Sequence, residues 1–191
     1  HVRFIGVEFI RVGGIVNGGD ALNFWNNNLT TAATIPRDIV IDRSIVRRTI
    51  GTNKLVNMQV VRGAIIDSEL INATQVLGDA NAVWVFNTPG PVKIVNNLIL
   101  GAGETVFFGA GGAVANLMTT DVEVRRNRIG NDPSWVGTAG KNLLEWKSGL
   151  RIWVAENIIE EDLTTGQPPS VTLTPRPNTE GPTGANFIDD I

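Results

Sequence analysis

Glu145 and Lys147 stand two apart in the segment Leu143-Leu144-Glu145-Trp146-Lys147, and on a β-strand that spacing puts both side chains on one face. They are the best-placed acid and base of the chain. A deprotonated lysine there could abstract a proton α to a substrate carboxylate while an arginine neutralises that carboxylate. The plainer reading of the pair is an ordinary surface ion pair worth under about 1 kcal/mol. A second grouping is Asp42 and Asp67, with Arg125 further along and Arg43 and Arg126 at the following position. Stacked carboxylates repel unless calcium or an arginine sits between them, which makes calcium a candidate cofactor. Its plainer reading is two turn aspartates paired with Arg43 or Arg62. His1 is the only histidine and there is no cysteine, which removes internal triads, histidine zinc sites, thiol nucleophiles and disulfides.

The elements that must position these groups form a repeat. One segment type recurs as VRFIGVEF from Val2, IVIDRSIV from Ile39, AIIDSELI from Ala64, VKIVNNLI from Val92, VEVRRNRI from Val122 and IWVAENII from Ile152, at separations of 37, 25, 28, 30 and 30 residues. Offsets 0, 2 and 7 are apolar or small, a period-two alternation broken once by a turn. Offset 5 reads Ser44, Glu69, Asn97, Asn127 and Asn157 in the later copies. Asparagine at a bend tolerates left-handed backbone and bonds turned backbone groups, so stacked copies predict an asparagine ladder.

A second strand recurs once per repeat: ALNFW at Ala21, LVNMQ at Leu55, AVWVF at Ala82, TVFFG at Thr105, LLEWK at Leu143 and SVTLT at Ser170. Two registers advancing together, with glycine and proline turns between them and no helical period, predict an all-β solenoid. The expected fold is a right-handed parallel β-helix of about six coils in a single domain over 1–191. Stacking at ~4.8 Å would set equivalent residues above one another around a continuous core. Neither end reads as a cap, and residues 187–191 could begin a seventh coil, so flanking coils or end-to-end self-association are expected.

Alternation sends Leu22, Val56, Val83, Val106, Leu144 and Val171 inward. It leaves Asn23, Asn57, Trp84, Phe107, Glu145 and Thr172 in one outward column, and Trp25, Gln59, Phe86, Gly109, Lys147 and Thr174 in the next. Aromatic faces beside amides suit a sugar chain. Loops 26–37 and 110–120 could instead fold over the strip and make a satellite core.

Composition agrees with one globular domain: 191 residues, 42% hydrophobic and 18% charged. A formal net charge of −3 gives no general attraction to nucleic acid or anionic lipid, and no run approaches the ~20 apolar residues of a membrane helix. His1-Val2-Arg3-Phe4 is not a signal peptide, and His1 reads as a cut point or processed end, with any localisation signal upstream.

The strand-turn repeat with asparagine at the bend resembles the pectate-lyase-like right-handed β-helix superfamily, and more closely uncharacterised bacterial right-handed β-helix repeat proteins. The stretches that carry the resemblance are HVRFIGVEF (1–9), DIVIDRS (38–44), PGPVKIVNN (89–97), GAGETVFFG (101–109), VRRNRI (124–129), DPSW (132–135), KNLLEWK (141–147) and TLTPRP (172–177). The resemblance implies an extracellular or cell-surface protein that binds, cleaves or modifies acidic polysaccharide, with calcium bridging a uronate. The enzyme motifs are incomplete: Arg43 stands where many pectate lyases have histidine after an aspartate such as Asp42, and neither the arginine-proline signature nor the paired-aspartate and Gly-His-Gly motifs of polygalacturonases occur. A polysaccharide-binding β-helix, lyase-like if catalytic, is the leading expectation. Its rival is a structural shaft or adhesin segment that stacks end to end.

Overall fold

The computed structural model describes residues 1–12, 19–25, 30–48, 54–73, 80–101, 103–110, 117–132, 140–160, 170–175 and 188–189. Every regular element among them is a β-strand, and no helix there is long and apolar enough to cross a membrane. The first coil contains β1 (Val2–Ile5), β2 (Glu8–Arg11) and β3 (Leu22–Asn23), and the second β4 (Arg37–Asp42), β5 (Ile45–Arg48) and β6 (Lys54–Met58). The third contains β7 (Val61–Ile66), β8 (Glu69–Ala73) and β9 (Asn81–Val85), and the fourth β10 (Val92–Val95), β11 (Leu98–Gly101) and β12 (Val106–Phe108). Then come β13 (Thr120–Arg125), β14 (Arg128–Gly130) and β15 (Leu144–Trp146), followed by β16 (Gly149–Ala155), β17 (Ile158–Glu160) and β18 (Val171–Leu173); β19 (Ile188–Asp189) pairs onto β16.

Each coil gives one strand to each of three parallel sheets. The first sheet runs β1-β4-β7-β10-β13-β16-β19, the second β2-β5-β8-β11-β14-β17 and the third β3-β6-β9-β12-β15-β18. The chain is a right-handed parallel β-helix of about six coils. Inward residues of all three sheets, among them Ile41, Val46, Ile65, Ile94, Ile99, Val106 and Leu144, form one buried core. Trp146 lies stacked on Phe108 within it, their centroids 5.1 Å apart.

At the short turn from the first sheet to the second, side chains bond along the axis. Val7 N donates to Ser44 Oγ, Ser44 N to Ser68 Oγ, Ser68 N to Asn97 Oδ1, Asn97 N to Asn127 Oδ1 and Asn127 N to Asn157 Oδ1, at 2.9–3.2 Å. The three asparagine Nδ2 groups donate back to the carbonyls of Ile65, Ile94 and Val124. The ladder therefore satisfies backbone groups that the bend would otherwise strand inside the fold.

Ser68, not Glu69, fills the third rung. The third copy begins at Gly63, which pairs with both Ile39 and Val92, one residue before the position alternation suggested. Gly63 lacks the apolar side chain that marks the other copies because a Cβ there would stand 2.7 Å from Met58 Cε and 2.8 Å from Val60 Cγ2. The one-residue shift moves Asp67 into the left-handed turn column, with Arg43, Asn96, Arg126 and Glu156 at φ between 46° and 58°. Asp42 faces Ile66, so the expected stacking of Asp42 on Asp67 does not occur.

Candidate functional site

On the third sheet the outward register is the one read from the sequence. Asn23 pairs with Asn57, Asn57 with Trp84, Trp84 with Phe107, Phe107 with Glu145 and Glu145 with Thr172. Most of the strip is covered. Asn57, Gln59, Phe86, Phe107, Glu145 and Lys147 are buried, Trp25 and Trp84 are half-buried, and of the strip only Asn23 is exposed. The aromatics make a satellite cluster: Trp84 stacks on Phe86 at 4.2 Å and on Phe107 at 6.2 Å, and Trp25 meets Phe86 edge-on at 5.9 Å. Trp84 Nε1 donates to the Gly109 carbonyl at 2.7 Å. Residues 26–29 and 111–116 of the loops expected to cover or frame the strip lie outside the described residues.

Glu145 and Lys147 do come together, Nζ to Oε1 at 3.4 Å, but Lys147 is shared. Its ammonium also lies 3.8 Å from Glu104 Oε1 and 4.3 Å above the Phe107 ring. Glu104 accepts from Lys141 at 2.9 Å and from Asn81 Nδ2 at 3.3 Å; Thr174 Oγ1 donates to Glu145 at 2.5 Å. The Lys147 ammonium thus bridges two buried carboxylates and ties this corner of the strip together.

Glu104, Lys54 and Asn81 are site residues that alternation missed, and a bend explains why. At the start of the third sheet two successive residues enter the core in several coils: Leu55 and Val56, Ala82 and Val83, Leu143 and Leu144. Both Ala82 N and Val83 N donate to the Thr105 carbonyl, and both Leu143 N and Leu144 N to the Ser170 carbonyl, as in a β-bulge. The bulge reverses inward and outward, so Lys54, Asn81 and Glu104 turn toward the strip. A legible signal for Glu104 was the adjacent Gly103: a Cβ there would come 2.0 Å from the Ala80 carbonyl oxygen, so only glycine lets this corner pack so closely. A pocket of about 160 Å³ remains, lined by Lys54, Asn81, Trp84, Phe107, Ala110 and Lys147. Lys54 Nζ lies 4.8 Å above Trp84 and has no carboxylate partner among the described residues.

Asp42 and Asp67 do not fit a calcium site. Asp42 is buried under two guanidiniums, Arg3 Nη2 at 2.5 Å and Arg43 Nε at 3.0 Å, and Asp67 accepts from Asn96 Nδ2 at 2.7 Å. No group of three potential metal ligands occurs among the described residues. The bonds from Arg43, then Arg3, hold the Asp42 carboxyl below its ordinary value of 3.8, and that from Arg62 does the same for Asp38. Depressed folded-state values contribute stability that is present above the unfolded value and lost as pH falls through the folded one. The melting temperature is therefore expected to fall below about pH 4. Thermal melts between pH 7 and 2 check this, and Asp42→Asn should show a smaller acid-induced loss than wild type.

Compared with known proteins, the chain matches no family model, no curated protein and no solved structure.

Proposed function

We propose that this β-helix binds an acidic polysaccharide outside the cell or at its surface, as its resemblance to pectate-lyase-like β-helices implies, and that the pocket on the third sheet takes one uronate ring. The observation that carries this reading is Lys54, an ammonium without a carboxylate partner among the described residues, poised over Trp84 at the mouth of a pocket whose other wall holds Lys147. A pyranose presents an apolar face that packs on an aromatic ring, and its carboxylate would offset the Lys54 charge. About 160 Å³ suits a single ring of a chain passing over the surface. Lys147, held in turn by Glu104 and Glu145, completes the lining.

Calorimetric titration with trigalacturonate tests this. Lys54→Gln is expected to weaken binding about tenfold, equivalent to roughly 1.4 kcal/mol, and wild-type affinity should fall with added salt. Ultraviolet absorbance of unsaturated products in the same samples reports lyase activity through Glu145 and Lys147. Absence of binding by wild type, or an unchanged affinity in Lys54→Gln, would remove the pocket from the account. A second reading, a structural shaft, draws on Val171 and Leu173, inward-column residues of β18 that are about half exposed at 45% and 52%. Light scattering that shows long assemblies without sugar binding would favour it.

A further inference from the structure

The outer face of the first sheet carries a groove that the pocket above does not use. Arg3, Val40, Ala64 and Lys93 stand in register on β1, β4, β7 and β10, so a basic residue at each end encloses two small apolar ones across about 14 Å, three steps of ~4.8 Å. Pro91 and Gly63 extend the floor, Arg62 and Asp38 form one flank with His1 beside them, and the groove encloses about 470 Å³. That volume is in the range of a small-molecule site and larger than an isolated anion needs.

Its ion pairs are lopsided. Arg3 is 55% exposed over Asp42 at 2%, Arg62 52% over Asp38 at 14%, and Lys93 61% over Glu123 at 14%. The carboxylates lie beneath and the cations face out, so on a chain of net charge −3 this face presents positive charge locally. An occupant must be anionic and must also lay an apolar face on Val40, Ala64 and Pro91. The interior strands of the sheet are paired on both sides, so a peptide cannot add as a strand within the groove.

We propose that this groove is a second binding site, for a short acidic oligosaccharide whose ring faces lie on the Val40–Ala64 floor and whose carboxylates meet Arg3, Arg62 and Lys93. The site is independent of the pocket on the third sheet.

The test is titration of trigalacturonate, with a neutral trisaccharide and a short single-stranded DNA as comparators, into wild type, Lys93→Gln, Ala64→Trp and Lys54→Gln. Glu123 retains Arg125 at 3.0 Å when Lys93 is neutralised, so no buried carboxylate is left unpaired. Ala64→Trp fills the floor without changing charge. Two acidic-sugar sites are expected in wild type, one weakened at least tenfold by Lys93→Gln and by Ala64→Trp while Lys54→Gln leaves it unchanged. Loss of that site with Lys54→Gln silent would support the groove while removing the pocket. Trigalacturonate binding unaffected by both groove variants overturns the proposal, as does tighter binding of the neutral sugar or of DNA.

Discussion

Asn127→Ala is expected to cost about 3–5 kcal/mol of stability, because one amide side chain satisfies buried groups in two neighbouring coils. Its Oδ1 accepts from Asn97 N at 3.0 Å and Asn97 Nδ2 at 2.9 Å, and its Nδ2 donates to the Ile94 carbonyl at 2.8 Å and Asn157 Oδ1 at 3.0 Å. Alanine strands the Asn97 N–H inside the turn and removes the side-chain donor from the Ile94 carbonyl. Asn127→Ser should recover part of the loss, since Ser44 and Ser68 fill the same rung elsewhere. Denaturant unfolding measures the cost, and amide exchange at Asn97 should accelerate in the alanine variant. A loss below about 1 kcal/mol would mean that the ladder is incidental to cohesion between coils.

Lys147→Met is expected to destabilise by about 3 kcal/mol or more, through a different mechanism. Removing the ammonium leaves Glu145, which is buried, with Thr174 as its remaining short contact among the described residues, whereas Glu104 keeps Lys141. The double variant Lys147→Met/Glu145→Gln should regain much of the loss, because the penalty lies in the stranded carboxylate rather than in the absent lysine. Equal stabilities for single and double variants would show that Glu145 draws its compensation elsewhere.

The sequence made the solenoid legible because the same physics repeats in each coil. Inward Ile and Val, bend asparagines and a second strand at constant phase each recur, and stacking converts recurrence into register. The outward columns from Asn23 to Thr172 and from Trp25 to Thr174 followed from alternation alone. Three features did not follow. Gly63 hid the start of the third copy, since a core position vacated for Met58 and Val60 has no apolar mark, and with it went the rung at Ser68 and the position of Asp67. The bulge before the third sheet reversed alternation and concealed Lys54, Asn81 and Glu104. The groove on the first sheet depends on which partner of each ion pair lies uppermost, a tertiary property that residue spacing does not carry.

Hydrogen–deuterium exchange with and without trigalacturonate tests most directly whether an acidic sugar docks on the outer face of the third sheet. On the third sheet, protection is expected in β6, β9 and β12 around Lys54, Trp84 and Phe107, distinct from any on the first sheet, and it should disappear in Lys54→Gln. Unchanged exchange in those strands at saturating sugar, or protection confined to the second sheet, would contradict it.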